Sequence, residues 1–119
     1  MPPQHLLIVD DSAAVTGALK LLFQESGFRV TTAAAIEEAV RVGTSDRADI
    51  LLLDLTLPDG DGLMVLERLR AVGAEPGATF ALTGHDDDEI RARCLAAGCR
   101  EMLLKPVPIR ELLALVRSL

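Results

Sequence analysis

The sequence predicts an α/β domain in which five strands alternate with five helices, the strands forming one parallel sheet covered by helices on both faces. Three observations carry this. Short aliphatic runs alternate with stripes of helical period along the whole chain. The connections are short, with no linker, repeat or low-complexity tract, so the crossovers are right-handed and the sheet is parallel. The run Ile50-Leu51-Leu52-Leu53 is continuous rather than alternating, the pattern of a strand buried on both faces and therefore central.

Residues 6–9 are the first aliphatic run, followed by Asp10-Asp11-Ser12 in a loop. Val15, Ala18, Leu19 and Leu22 recur at i, i+3, i+4 and i+7, the stripe of an amphipathic helix. Ser26-Gly27 ends it, with Gly27 suited to the left-handed conformation past the last turn. Residues 28–32 are alternating and rich in β-branched side chains, which predicts a strand at an edge. Ile36, Ala39 and Val40 mark a second helix, closed by Gly43. The central strand then runs to Asp54. Pro58 is expected to block further ladder pairing, and Asp59-Gly60-Asp61-Gly62 to turn the chain.

Val65, Leu66, Leu69 and Val72 form one face of a third helix that stops before Gly73. Residues 79–83 are a fourth strand. The acids at 86–89 crowd the start of a fourth helix, where negative charge favours the positive end of the dipole. Ile90, Cys94 and Ala97 face inward, and Gly98 terminates. Residues 102–104 are a fifth strand, and Lys105-Pro106-Val107-Pro108 turns the chain. Ile109, Leu112, Leu113 and Val116 stripe a final helix, with Pro108 suited to its first turn.

Composition narrows the function classes. A chain of 119 residues suffices for one domain with one core, and with no Trp, no Tyr and three Phe that core is aliphatic. The net charge of −6 and the lack of a Lys/Arg cluster argue against direct nucleic-acid binding by this segment. No apolar run approaches the ~20 residues of a membrane span. Met1-Pro2-Pro3-Gln4 is too short and polar for a signal peptide, so a cytoplasmic location is expected. Cys94 and Cys99 match no zinc spacing and read as two small buried thiols of a reducing compartment. His5 and His85 show no partner that would make either a nucleophile or a ligand.

The polar residues that remain fall at strand ends. Asp10 and Asp11 follow the first strand, Asp54 ends the third, Thr83 the fourth and Lys105 the fifth. In a parallel sheet these points share one edge, where open α/β sheets bind ligands. Taken singly each has a plain role: Asp11 or Ser12 could cap a helix, Asp54 could cap the next one, Thr83 could be an ordinary strand residue and Lys105 a solvated cation. Together they point to chemistry. Three converging carboxylates repel, and a hard divalent cation resolves the repulsion. Carboxylates with a main-chain carbonyl and waters suit Mg2+. A carboxylate beside Mg2+, a lysine and a hydroxyl is suited to accept a phosphoryl group: the cations neutralise charge growing on the transferred oxygens, and the product is an aspartyl phosphate.

Val9-Asp10-Asp11-Ser12, Leu53-Asp54-Leu55-Thr56-Leu57-Pro58, Asp61-Gly62, Ala81-Leu82-Thr83-Gly84 and Leu104-Lys105-Pro106 resemble the receiver domains of two-component response regulators. The resemblance covers essentially the whole chain. It implies the flavodoxin-like strand order 2-1-3-4-5 and a single receiver domain over residues 1–119 with no output domain in this chain. It implies that Asp54 takes phosphate from a phosphohistidine of a sensor histidine kinase or histidine phosphotransfer protein, and that phosphorylation changes binding to a downstream protein or fused output domain. Asp11 and Asp54 would hold Mg2+ directly with the carbonyl of Thr56, and Asp10 through water. Lys105 would contact the phosphoryl group, and the Lys105–Pro106 bond is commonly cis in the family. The only reactions implied are the domain's own phosphorylation and dephosphorylation, with Thr56 and His85 flanking the path of the hydrolytic water. Two positions depart from the family: Met102 stands where Tyr or Phe is usual, and Gly84 where alanine is.

Three other readings are weaker. A haloacid-dehalogenase-like phosphatase also uses an aspartyl phosphate, but places an acid where Thr56 stands and its acidic pair late in the chain. A calcium loop around 59–62 lacks the spaced ligands and the bidentate glutamate. A receiver-like scaffold that takes no phosphate usually lacks an acid or the lysine, and here none is missing.

Overall fold

Alternation of side chains across strands buried on both faces sets the architecture. The computed structural model describes residues 3–119. Met1 and Pro2, part of the segment weighed as a signal peptide, lie outside them. The described residues form, in order, β1 (His5–Val9), α1 (Ala13–Glu25), β2 (Arg29–Ala33), α2 (Ile36–Ser45), β3 (Ile50–Asp54), β4 (Thr56–Leu57), β5 (Gly60–Asp61), α3 (Leu63–Ala71), β6 (Ala78–Thr83), α4 (Asp88–Ala96), β7 (Glu101–Leu104) and α5 (Ile109–Arg117). The main sheet is parallel with order β2-β1-β3-β6-β7, which is 2-1-3-4-5 counted over the five long strands. β3 is central and buried throughout; β2 is an edge. Both placements agree with the expectation from sequence.

Successive residues of β1 and β3 feed opposite layers. Leu7, Val9, Leu51 and Leu53 pack with Ile36 and Ala39 of α2 and Val65 and Leu69 of α3. Leu6, Ile8, Ile50 and Leu52 pack with Leu19 and Phe23 of α1 and Leu112 and Val116 of α5. A smaller cluster joins Leu63, Leu66, Ala81, Cys94, Cys99 and Met102.

Several local expectations are corrected. The inward face of α1 centres on Leu19 and Phe23. Val15 is 40% exposed, and Ala18 is also exposed. Both line a groove of about 580 Å³ left between α1 and the segment from Lys105 to Leu112. Ile109 lines the same groove and is exposed rather than buried. Gly43 does not close α2, which continues to Ser45. A Cβ there would stand 2.9 Å from Cδ2 of Leu69, so Gly43 lets α2 and α3 approach closely. Val72 is the C-cap of α3 and 57% exposed, because the helix ends at Ala71. Pro108 is the N-cap of α5, just outside its first turn. Pro58 does not end pairing: Thr56 pairs with Asp61 and Leu57 with Gly60, and Pro58 occupies the turn, where no ladder N–H is needed.

His5 lies within β1 and is buried, and its partners come from segments far away in sequence. Nδ1 is 3.1 Å from the carbonyl of Arg47 and Nε2 is 2.8 Å from Oγ1 of Thr31. A carbonyl only accepts, so Nδ1 carries the proton in the neutral ring and Nε2 accepts from the threonine hydroxyl. The imidazole is a satisfied core group.

Candidate functional site

The carboxyl ends of β1, β3, β6 and β7 bring the sequence-identified residues to one edge. Asp10 leaves β1 with its N–H on the carbonyl of Ala33 and its side chain 2% exposed. Oδ1 accepts from the N–H of Ser12 at 2.9 Å, and Oδ2 lies 3.0 Å from Nζ of Lys105. Ser12 caps α1, accepting from the N–H of Val15. That leaves Asp11, which is exposed, free of the capping role.

Asp54 closes β3 and is 5% exposed. Oδ1 accepts from the N–H of Thr56 at 3.1 Å, and Oδ2 lies 3.2 Å from Nζ of Lys105. It caps no helix: α3 begins at Leu63 after its N-cap Gly62, and the Leu63 N–H is held by Oδ1 of Asp61 at 3.0 Å. One carboxylate oxygen from each of Asp10, Asp11 and Asp54 lies within 4.8 Å of the others. Three carboxylates therefore face one ammonium, and the excess negative charge suits a hard cation bound through oxygen.

Thr83 is the buried last residue of β6, beside Leu82, which pairs with Asp54. Its Oγ1 accepts from the N–H of His85 at 3.2 Å, so the hydroxyl proton remains available to a further acceptor. Lys105 follows β7, donating its N–H to the carbonyl of Thr83 at 2.7 Å, and the Lys105–Pro106 peptide is cis. Burial alone would lower the pKa of its amine. The hydrogen bond and charge of Asp10, then the charge and hydrogen bond of Asp54, outweigh burial and raise it, so Lys105 is a firm cation. Thr56 is exposed and reaches the site through its main chain.

Three further residues shape the site: Asp61 and Gly62, which the sequence placed among the receiver-like motifs, and Asp59, which it showed only as turn chemistry. Gly62 is buried, its N–H on the carbonyl of Leu55 at 2.9 Å, and a Cβ there would stand 2.0 Å from the carbonyl oxygen of Asp54. Asp59 accepts from the N–H groups of Ile36 and Glu37 at 2.9 and 3.2 Å. Asp61 pairs with Arg93 of α4 besides holding Leu63. The α2 partners of Asp59 and the α4 partner of Asp61 lie beyond any local pattern. Met102 is buried, opposite Ala81 in the sheet and among Leu63, Leu66, Cys94 and Cys99.

A parallel 2-1-3-4-5 sheet carrying three acids, a threonine and a lysine at the carboxyl ends of its strands defines a doubly wound α/β domain acting at that edge. The chain belongs to the response regulator receiver domain family, whose model matches residues 6–117. It is 37% identical over 117 residues to response regulator MprA of Mycolicibacterium vanbaalenii, covering 98% of this chain and 50% of that protein. It is 36% identical over 116 residues to transcriptional regulatory protein PrrA of Mycobacterium tuberculosis, covering 97% of this chain and 49% of that protein. The chain thus spans about half the length of these relatives. Among solved structures, a CheY-like receiver domain protein from Methanospirillum hungatei superposes with TM-score 0.88 at 26% identity, over 98% of this chain and 92% of that one. The HemR receiver domain of Leptospira biflexa gives TM-score 0.86 at 28% identity, over 97% and 92%. The match to a receiver along nearly the whole chain disfavours the phosphatase reading. No helix among the described residues is long and apolar enough to cross a membrane.

Proposed function

We propose that this receiver domain, a phosphorylation-dependent switch, takes a phosphoryl group onto Asp54 from the phosphohistidine of a sensor histidine kinase or histidine phosphotransfer protein. The observation that carries the reading is the placing of Asp54: Oδ1 held by the Thr56 N–H, Oδ2 by Lys105, and two more carboxylates alongside. A carboxylate oxygen of Asp54 forms the new O–P bond as the P–N bond to the donor imidazole breaks, and the ring departs with the bonding pair. Lys105 turns from the carboxylates to the phosphoryl oxygens, and the Thr83 hydroxyl donates to one of them. Asp11 and Asp54 with the Thr56 carbonyl, and Asp10 through water, would hold Mg2+, which supplies neutralising charge to the transferred oxygens.

The groove beside Lys105, lined by Val15, Ala18, Pro106 and Ile109, is apolar and suits a helix of the donor protein. The phosphoryl group adds about −1.5 to −2 charges. As Thr83 moves toward it, Met102 fills the space by changing rotamer, and the response reaches α4 in a graded rather than an all-or-none way. The domain reacts only at its own carboxylate and does so in the cytoplasm, and with a net charge of −6 it makes no direct contact with nucleic acid. The PrrA name suggests a transcriptional output carried by the half of such proteins that this chain does not match.

Acetyl phosphate with Mg2+ tests the reading by intact mass. One phosphate adduct is expected, absent with EDTA and absent in Asp54→Asn. An adduct in Asp54→Asn at the wild-type rate overturns it.

A further inference from the structure

The hairpin that follows the acceptor strand is anchored from outside the site. Helix α2 starts without a cap of its own, since Ala35 at the N-cap has no side-chain acceptor. Asp59, in the turn of the β4–β5 hairpin, provides the cap from a distant part of the chain. Its Oδ1 lies 2.9 Å from the N–H nitrogen of Ile36 and its Oδ2 3.2 Å from that of Glu37. Both oxygens are engaged, and the hydrogen bond from Ile36, foremost among the causes, holds the carboxyl below its usual range although burial opposes this. A carboxylate clasping two amides at the positive end of a helix is a charge-assisted tether.

The tether leads directly to the acceptor. Gly60, next to Asp59, pairs with Leu57, and Asp61 pairs with Thr56. The N–H of Thr56 in turn holds Oδ1 of Asp54 at 3.1 Å. One two-residue ladder and one hydrogen bond separate the first turn of α2 from the carboxylate that ends β3.

We infer that Asp59 is a positioning residue of the acceptor site: by clasping the first turn of α2 it fixes the β4–β5 hairpin, and with it Thr56 against Asp54. The inference rests on the reading above, in which Asp54 and Thr56 share a Mg2+ site. Asp59 itself touches neither metal nor phosphoryl group.

The test compares Mg2+ dissociation constants, by calorimetry or amide NMR, for the wild type, Asp59→Ala, Asp59→Asn and Glu38→Ala. Glu38 makes the other bond at the start of α2, its Oε1 accepting from the N–H of Ala34 at 2.6 Å, without touching the hairpin. Asp59→Ala should weaken Mg2+ binding several-fold, up to about 10-fold, the lower end of the range for losing a supporting residue behind a metal ligand. Asp59→Asn, which loses the charge but keeps one acceptor, should recover much of the affinity, and Glu38→Ala should stay near wild type. Without metal, the hairpin amides of Asp59→Ala should exchange faster than those of Glu38→Ala. If the alanine variant does not melt cooperatively, Asp59→Leu, which has no acceptor, replaces it with the same expectations. Wild-type affinity in Asp59→Ala overturns the inference. So do equal losses in Ala and Asn, which would show a field effect, or equal losses in Asp59→Ala and Glu38→Ala, which would show an effect of α2 stability. If the wild type binds no Mg2+, the shared-site reading fails first and the inference with it.

Discussion

A Cβ on Gly62 would stand 2.0 Å from the carbonyl oxygen of Asp54, and 2.9 Å from Cα of Leu55. The neighbours are backbone, which cannot swing aside like a flexible side chain. The chain therefore passes so close behind Asp54 that only hydrogen fits. Gly62→Ala should cost on the order of 3 kcal/mol, at the upper end for overpacking a buried site. Urea unfolding reads the loss, and the adduct yield with acetyl phosphate should fall with it. An unchanged midpoint would show that the loop moves away without cost.

A metal ion bound among the three carboxylates would compete with Lys105 for them. Its ammonium sits 3.0 Å from Asp10 and 3.2 Å from Asp54, where a cation would gain most. Lys105→Met should therefore tighten Mg2+ binding while slowing phosphorylation. Asp11→Ala should weaken binding far more than neutralising any of the acids at 86–89. Of these, Asp87 caps α4 and Asp86 pairs with Arg91. Chain-wide titration of Mg2+ by NMR separates the two groups, and equal losses would refute the site.

Much of this candidate site was legible in the sequence because four of its residues end an aliphatic run. Asp10, Asp54, Thr83 and Lys105 stand where a parallel sheet must gather them. Periodicity located the helices but not always their faces. Val15 and Ala18 share a stripe with Leu19, yet they border a groove while Phe23, one turn on from Leu19, fills the core. Gly43 has the chemistry of a helix terminator, and only the approach of Leu69 reveals it as a packing residue. Asp59 and Asp61 look like turn formers because their partners belong to other helices.

The two thiols give the fold a pH signature. Burial foremost, then the neighbouring Cys94, pushes Cys99 up to about 12 from an ordinary 9.0, and burial also raises Cys94. The native state keeps protons that the unfolded chain releases, so this contribution is complete below about 9 and is lost as pH rises from there toward about 12. Urea midpoints at neutral and alkaline pH should fall more steeply for wild type than for Cys99→Ala. At neutral pH neither thiol should react with an alkylating reagent before unfolding. Parallel pH slopes would contradict the assignment.

If the groove beside the site docks the donor protein, it should matter for protein donors and not for small ones. Val15→Asp or Ile109→Asp puts a charge on its apolar wall without touching the carboxylates. Transfer from a phosphohistidine protein should slow about tenfold or more, as for a lost interface anchor. Phosphorylation by acetyl phosphate should keep its rate. Equal slowing with both donors would place the fault in the site rather than in docking.

The central claim is that Asp54, and no other residue, carries the phosphoryl group. Borohydride reduces an acyl phosphate to the alcohol, so an aspartyl phosphate becomes homoserine and can be located by peptide mass. After treatment with acetyl phosphate and Mg2+, the account predicts homoserine at position 54 in wild type, lost with EDTA and in Asp54→Asn. Homoserine at Asp10 or Asp11 in wild type, or a phosphate that borohydride leaves intact on another residue, would contradict it.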